Sequence, residues 1–150
     1  MIIQQLNRTD PEIILYQVKN VDGGGSITTG LGVALVATAA SGDGISAVRS
    51  TGALAAQFSG VAKADIAINA YGLATVWGYA ASVAISQSVG SYTITAGDTL
   101  RLAGAAGHFT SVITAQAVST QMYRYVIALG AVADTISNPR TYMAGLVRAI

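Results

Sequence analysis

The alternation of apolar with polar or small residues along this chain is that of a β protein. It is clearest from Tyr71 to Leu102, YGLATVWGYAASVAISQSVGSYTITAGDTLRL. This stretch opens with the aromatic-rich segment LATVWGY, which holds the only Trp. It closes with ITAGDTLRL, a tight turn feeding an alternating strand. A period of two is what half-buried strands require. Gly78, Gly90 and Gly97 punctuate the stretch and predict a turn, bulge or corner each.

The same reading extends along the chain. Pro11 after Asp10 argues against a helix at that point, and Glu12–Val18, EIILYQV, has strand composition. The stretch VDGGGSITTG, Val21 to Gly30, reads as a flexible joint, because three consecutive glycines hold no regular element. It is either a long hairpin loop or a separator between an arm and the body. Leu31–Ala40 is composed for helix or strand; its shortness and flanking glycines select a strand. Ser41–Gly44 is then a turn, and Ile45–Thr51 the second strand of a hairpin. Gly52–Ala64 stays open between a strand with a loop and a single helical turn. Asp65–Ala70 alternates, with Ile66 and Ile68 facing one way, and Asn69–Gly72 turns the chain back into LATVWGY. Ala103–Gly107 is a small-residue turn, His108–Val118 and Arg124–Leu129 are β-like, and Pro139 is a break. Tyr142–Ile150 reads as a closing strand, since it is short and interrupted by Gly145.

Short strands at spacings of roughly 8–12 residues predict an all-β fold, a small barrel or sandwich with Gly-rich turns. The reading adds an extended N-terminal arm, residues 1–30 with the joint, ahead of a β-rich domain at 31–150. The arm is expected to be loosely held in the isolated protein and to order by strand addition to a neighbouring subunit. The competing reading makes EIILYQV the first strand of the chain's own barrel and VDGGGSITTG a hairpin loop. The pattern shows no convincing internal repeat and no long amphipathic helix.

Composition adds an expectation about surfaces. The 150 residues carry 8 basic and 7 acidic side chains, so only 10% are charged while 52% are hydrophobic. Mean hydropathy is +0.53. Such a chain is large enough for a core, with roughly 7,000 Å² of folded surface against roughly 22,000 Å² unfolded. It is too poor in charge to cover itself, which points to a membrane or to other subunits. The most apolar run, Leu31 to Ala40, is too short to span a bilayer, and the N-terminus lacks a signal-peptide pattern. Burial against other subunits is the expectation, in a homo-oligomer or a lattice, with no membrane. The cations lie singly and six of eight are Arg, so no nucleic-acid surface is expected either. Candidate interface residues are Ile13, Ile14, Leu15 and Tyr16 in the arm, then Tyr123, Arg124, Tyr125, Arg140 and Tyr142. Trp77, inside a strand, reads as core.

Candidate chemistry is thin. There is no Cys, one His (His108) and one Glu (Glu12), and the carboxylates show no paired ligand spacing. No nucleophile elbow marks a serine, and the triglycine lacks the Lys-Ser/Thr of a phosphate loop. Asp98, in TAGDT, reads as a turn residue bonding nearby backbone N–H groups, with Gly97 at positive φ. The expectation is a protein that is not an enzyme and uses no metal or cofactor.

The phrases YGLATVWG and ITAGDTLRLAGAAGHF, with the late ALGAVADTI and closing VRAI, resemble small β-rich capsid decoration proteins of tailed bacteriophages. The matching positions are Tyr71, Gly72, Val76, Gly78, Gly97, Asp98, Leu100, Gly104, Ala128, Leu129 and Val147. The likeness spans roughly Gly60 to Ile150 and rests on turn-and-strand patterns rather than chemical motifs. It implies a head-stabilising role: binding the outside of a phage capsid and bridging major capsid subunits. It places the protein in the virion and, before assembly, in the bacterial cytoplasm. The alternatives are another virion component (a head-fibre base, tail or minor capsid protein) and a virion-associated hydrolase.

Overall fold

The computed structural model describes residues 12–36, 44–51, 54, 57–85, 93–102, 107–111, 126–131 and 141–149. The described residues form nine strands and no α-helix: β1 Ile14–Asn20, β2 Gly32–Leu35, β3 Ser46–Arg49, β4 Phe58–Ala62, β5 Tyr71–Ile85, β6 Thr99–Leu102, β7 Phe109–Ser111, β8 Val126–Ala128 and β9 Thr141–Arg148. The expected all-β barrel class is what the chain adopts. β2, β3 and β9 realise the strands read at Leu31–Ala40, Ile45–Thr51 and Tyr142–Ile150, as far as those stretches are described. The open stretch before Ala64 contains β4.

The stretch that carries the clearest alternation becomes the hub. β5 is 15 residues long and pairs with β1, β4, β7 and β9. Five strands close into a ring in the order β1-β3-β2-β4-β5 and back to β1. The remaining strands close a second ring on the other half of β5, in the order β5-β7-β6-β8-β9 and back to β5. Each ring runs first, third, second, fourth, fifth in chain order. In each, the first–third pair is parallel (β1–β3, β5–β7) and the other four are antiparallel. The fold is therefore an internal duplication of topology in which β5 ends one ring and begins the next.

A recurrent turn accompanies the duplication. Ile27-Thr28-Thr29-Gly30, Ile66-Ala67-Ile68-Asn69 and Ile94-Thr95-Ala96-Gly97 each start with a buried isoleucine and lead, one residue on, into β2, β5 and β6. In each, a backbone N–H bonds back three residues: Leu31 to Thr28 (3.2 Å), Ala70 to Ala67 (3.0 Å) and Asp98 to Thr95 (3.1 Å). The third turn residue has φ of 84°, 61° and 95°. A turn with positive φ at that position demands Gly or Asn, which is what stands there. Ile27 and Ile66 also exchange both backbone hydrogen bonds, at 3.0 and 2.8 Å. The repeat escaped the sequence because only ITTG and ITAG look alike.

Other expectations change in the structure. Of the two readings of EIILYQV, the strand of the chain's own barrel is observed for Ile14–Asn20, paired to β5 and β3; residues 1–11 lie outside the described residues. The triglycine stretch is not a loose joint. Asp22 accepts from the Gly24 N–H (2.8 Å) and ion-pairs with Arg49 (2.7 Å), while buried Asn20 donates to the carbonyls of Gly25 (3.1 Å) and Ile66 (2.9 Å). DIAINA forms no paired strand: Ile66 is buried, Ile68 is exposed, and the turn falls at Ile68–Asn69, so that Tyr71 and Gly72 already belong to β5.

Two cores match the two rings. The first gathers Val18, Ile27, Leu31, Val33, Ala47, Ala62, Ile66, Ala74 and Ala84. The second gathers larger side chains, among them Leu100, Leu102, Phe109, Val126, Met143 and Val147, with Phe58 and Val61 reaching in from β4. Phe58 meets Phe109 edge to face, ring centroids 5.8 Å apart.

Candidate functional site

The outer surface is set by how β5 distributes its side chains. Inside the rings stand Gly72, Ala74, Gly78 and Ala80; between them, pointing outward, stand Tyr71, Leu73, Trp77 and Tyr79. The bulky members of the alternation are thus on the outside. A five-stranded ring is narrow, and from Gly72 to Ala80 its interior at the shared strand is lined by small residues, with Val83 and Ile85 filling the second core further along. Gly78 is required for a different reason: a Cβ there would run into the backbone carbonyl of Glu12, in the exposed segment that leads into β1.

A bulge then splits these outward residues into two faces. Thr75 pairs with Leu15 and Trp77 with Ile14, so β5 carries one extra residue, Val76, against β1. An extra residue turns the following side chains over to the other side of the strand. The cores agree: Val61, cross-strand partner of Thr75, packs in the second core, and Ala84 packs in the first although Val83 and Ile85 pack in the second. The two rings lie on opposite sides of β5, and so do the outer faces.

The first face consists of the directly opposed pairs Lys19 with Tyr71 and Gln17 with Leu73, beside Leu15. Lys19 Nζ sits 5.9 Å from the Tyr71 ring centre. Tyr71 is 57% exposed and Leu73 42%. The second face sets Trp77 between Ile14 on β1 and Arg148 on β9, with Tyr79 opposite Leu146. The Arg148 guanidinium carbon is 5.6 Å from the Trp77 ring centre. Tyr142, exposed near the start of β9, lies on the same side of that strand as Leu146 and Arg148. Both faces therefore present an aromatic ring with a cation across the strand and an exposed apolar residue two positions along β5.

Of the interface residues read from the sequence, Ile13, Ile14, Leu15, Tyr16 and Tyr142 are exposed. The structure divides them: Leu15 belongs to the first face, Ile14 and Tyr142 to the second, and the Tyr16 hydroxyl donates to the Gly44 carbonyl. Tyr123, Arg124, Tyr125 and Arg140 lie outside the described residues. The reading missed Lys19, Tyr71, Leu73, Tyr79 and Arg148, and it placed Trp77 in the core where it is half-buried on the surface. The signal that marks them is the regular small residue between the bulky ones, Gly72, Ala74, Gly78 and Ala80.

The electrostatics concentrate at one end of the first ring. The hydrogen bond from Arg49, reinforced by backbone N–H donors of Gly24 and Arg49 itself, holds the Asp22 carboxyl at about 2. The same contact raises Arg49. Asp65, accepting from the Thr29 N–H (2.7 Å) and hydroxyl (2.8 Å), is lowered by those two bonds. In the second half, Asp98 accepts from the Thr95 N–H at 2.8 Å, the turn role read for it. Among the described residues no three of His, Cys, Asp and Glu gather as a metal site would need, and no helix is long and apolar enough to cross a membrane. No protein-family profile matches the chain, and no curated protein is significantly similar to it.

Proposed function

We propose that this protein is a structural component of a phage virion that binds the outside of the capsid and stabilises the shell by bridging major capsid subunits. The observation that supports this most is the pair of apolar, aromatic faces on a scaffold of closed rings. Tyr, Trp and Arg are the residues from which protein–protein contacts draw most of their energy. Closed rings, in which each described strand has two neighbours, present those side chains rigidly. The sparse charge of the chain and the decoration-protein resemblance of its YG and AGD segments point the same way. In this reading the protein is not an enzyme, needs no cofactor, and moves from the bacterial cytoplasm to the phage head on assembly.

The test is stoichiometry. Quantitative mass spectrometry of purified virions should find this chain at a copy number approaching that of the major capsid protein. A few copies per particle would instead assign it to a tail, fibre base or minor capsid position. Absence from virions would end the reading.

A further inference from the structure

We infer that the protein holds its partner in two places at once: one molecule seats two neighbouring copies of the same capsid subunit, one on the Lys19–Tyr71–Leu73 face and one on the Arg148–Trp77–Tyr79 face. The inference rests on the capsid-binding reading and adds to it the surfaces, their number and the chemistry of what they meet.

The argument starts from the duplication. Two rings of identical strand order lie on opposite sides of β5, so the molecule has two outer faces built on one strand. The extra residue Val76 is what turns the second face away from the first. Were β5 regular, Tyr71, Leu73, Trp77 and Tyr79 would form a single stripe. Their make-up is matched although their sequences are not. On each, a cation lies over an aromatic ring, Lys19 at 5.9 Å from exposed Tyr71 and Arg148 at 5.6 Å from half-buried Trp77. On each, the next outward residue of β5, Leu73 or Tyr79, stands about two-fifths exposed. A matched pair of faces fits a repeated partner, which is what a lattice of one subunit offers.

Charge selects the chemistry of that partner. Lys19 and Arg148 favour an apolar surface rimmed by Asp or Glu. A second copy of this chain does not supply that rim, since neither face as built from β1, β5 and β9 carries an acidic residue. The occupant of each face is therefore an acidic-rimmed apolar patch of a capsid subunit.

The experiment titrates shells lacking this protein with the wild type and with Leu73→Glu, Tyr79→Glu and the double variant. Both positions are exposed, and a thermal melt of each variant checks the fold. Lys19→Glu and Arg148→Glu repeat the test without altering an apolar residue. The wild type should bind and raise the temperature at which shells break. Each single-face variant should bind roughly 10²–10⁴-fold more weakly, as loss of one of two linked contacts predicts, and should no longer raise that temperature. The double variant should not bind. If one single variant behaves as wild type while the other abolishes binding, a single face makes the contact and the inference is wrong. It is equally wrong if the wild type binds and all variants bind as well. A wild type that fails to bind shells removes the capsid reading itself, which the wild-type arm reports separately.

Discussion

The two rings of this protein have the same strand order and are held together differently. The first has the leaner core, four of its nine core residues being alanine and none aromatic. Its connections are fixed by polar contacts: Asn20 bonds two carbonyls and the Asp22 N–H, Asp22 binds Arg49 and the Gly24 N–H, and Asp65 holds Thr29. The second ring is filled by Phe109, Leu100, Leu102, Met143 and Ile85, with Phe58 and Val61 from β4 added. Apolar burial contributes roughly 25 cal/mol per Å², so a core of mostly alanine, valine and isoleucine gains less than one that adds Phe, Met and more Leu. Where the core is lean, satisfied buried hydrogen bonds set the geometry of the loops. One topology can thus be stabilised by volume or by polar pinning.

The largest effect should come from the second core. Phe109→Ala removes a fully buried ring and its contact with Phe58, at an expected cost of about 3–5 kcal/mol in denaturant unfolding. Because Phe58 belongs to β4 of the first ring, both halves should melt in one transition. Two separated transitions would show that the rings are independent. Gly78→Ala strikes the strand the rings share, where φ is 98° and the Glu12 carbonyl leaves no space. About 2–3 kcal/mol should be lost. Amide exchange should quicken first along the β1–β5 pairing.

Polar pinning of the first ring is tested next. Asn20→Ala removes the side-chain donor to the Gly25 carbonyl and one of the two donors to the buried Ile66 carbonyl, takes from the Asp22 N–H its side-chain acceptor, and should cost about 2 kcal/mol. Hydrogen exchange should then rise at residues 22–27 and not in β6 or β8. The smallest effect is that of pH on the Asp22–Arg49 pair. Asp22 has a folded-state pKa of about 2, below its ordinary 3.8. The ionised form is thus favoured by folding, and the contribution is full above about pH 4 and lost as pH falls toward 2. About 1–2 kcal/mol should disappear over that window, discounted for partial exposure of the pair. Arg49→Met should flatten that part of the stability–pH curve; a curve unchanged by the substitution would show that the pair contributes nothing.

The chain by itself determined that strands, not helices, would form, and where several turns would fall. Alternation in YGLATVWGY, the Gly97-Asp98 turn and the closing strand at Thr141–Arg148 are local signals, set by side-chain period and by the residues that tolerate positive φ. Which side of the alternation faces inward was decided only by tertiary structure. A period of two marks two faces and leaves their roles to the space available, and here the narrow rings took Gly72, Ala74, Gly78 and Ala80 inside and left Tyr71, Leu73, Trp77 and Tyr79 outside. Pairing partners were undetermined for the same reason. Ile14–Asn20 has an unpaired edge until β5 folds beside it, and the triglycine loop is flexible until Arg49, 27 residues on from Asp22, closes on it. The duplication was hidden because hydrogen-bonded ring order depends on backbone groups that every residue carries, so it leaves its mark in the sequence only where a turn demands a Gly or an Asn.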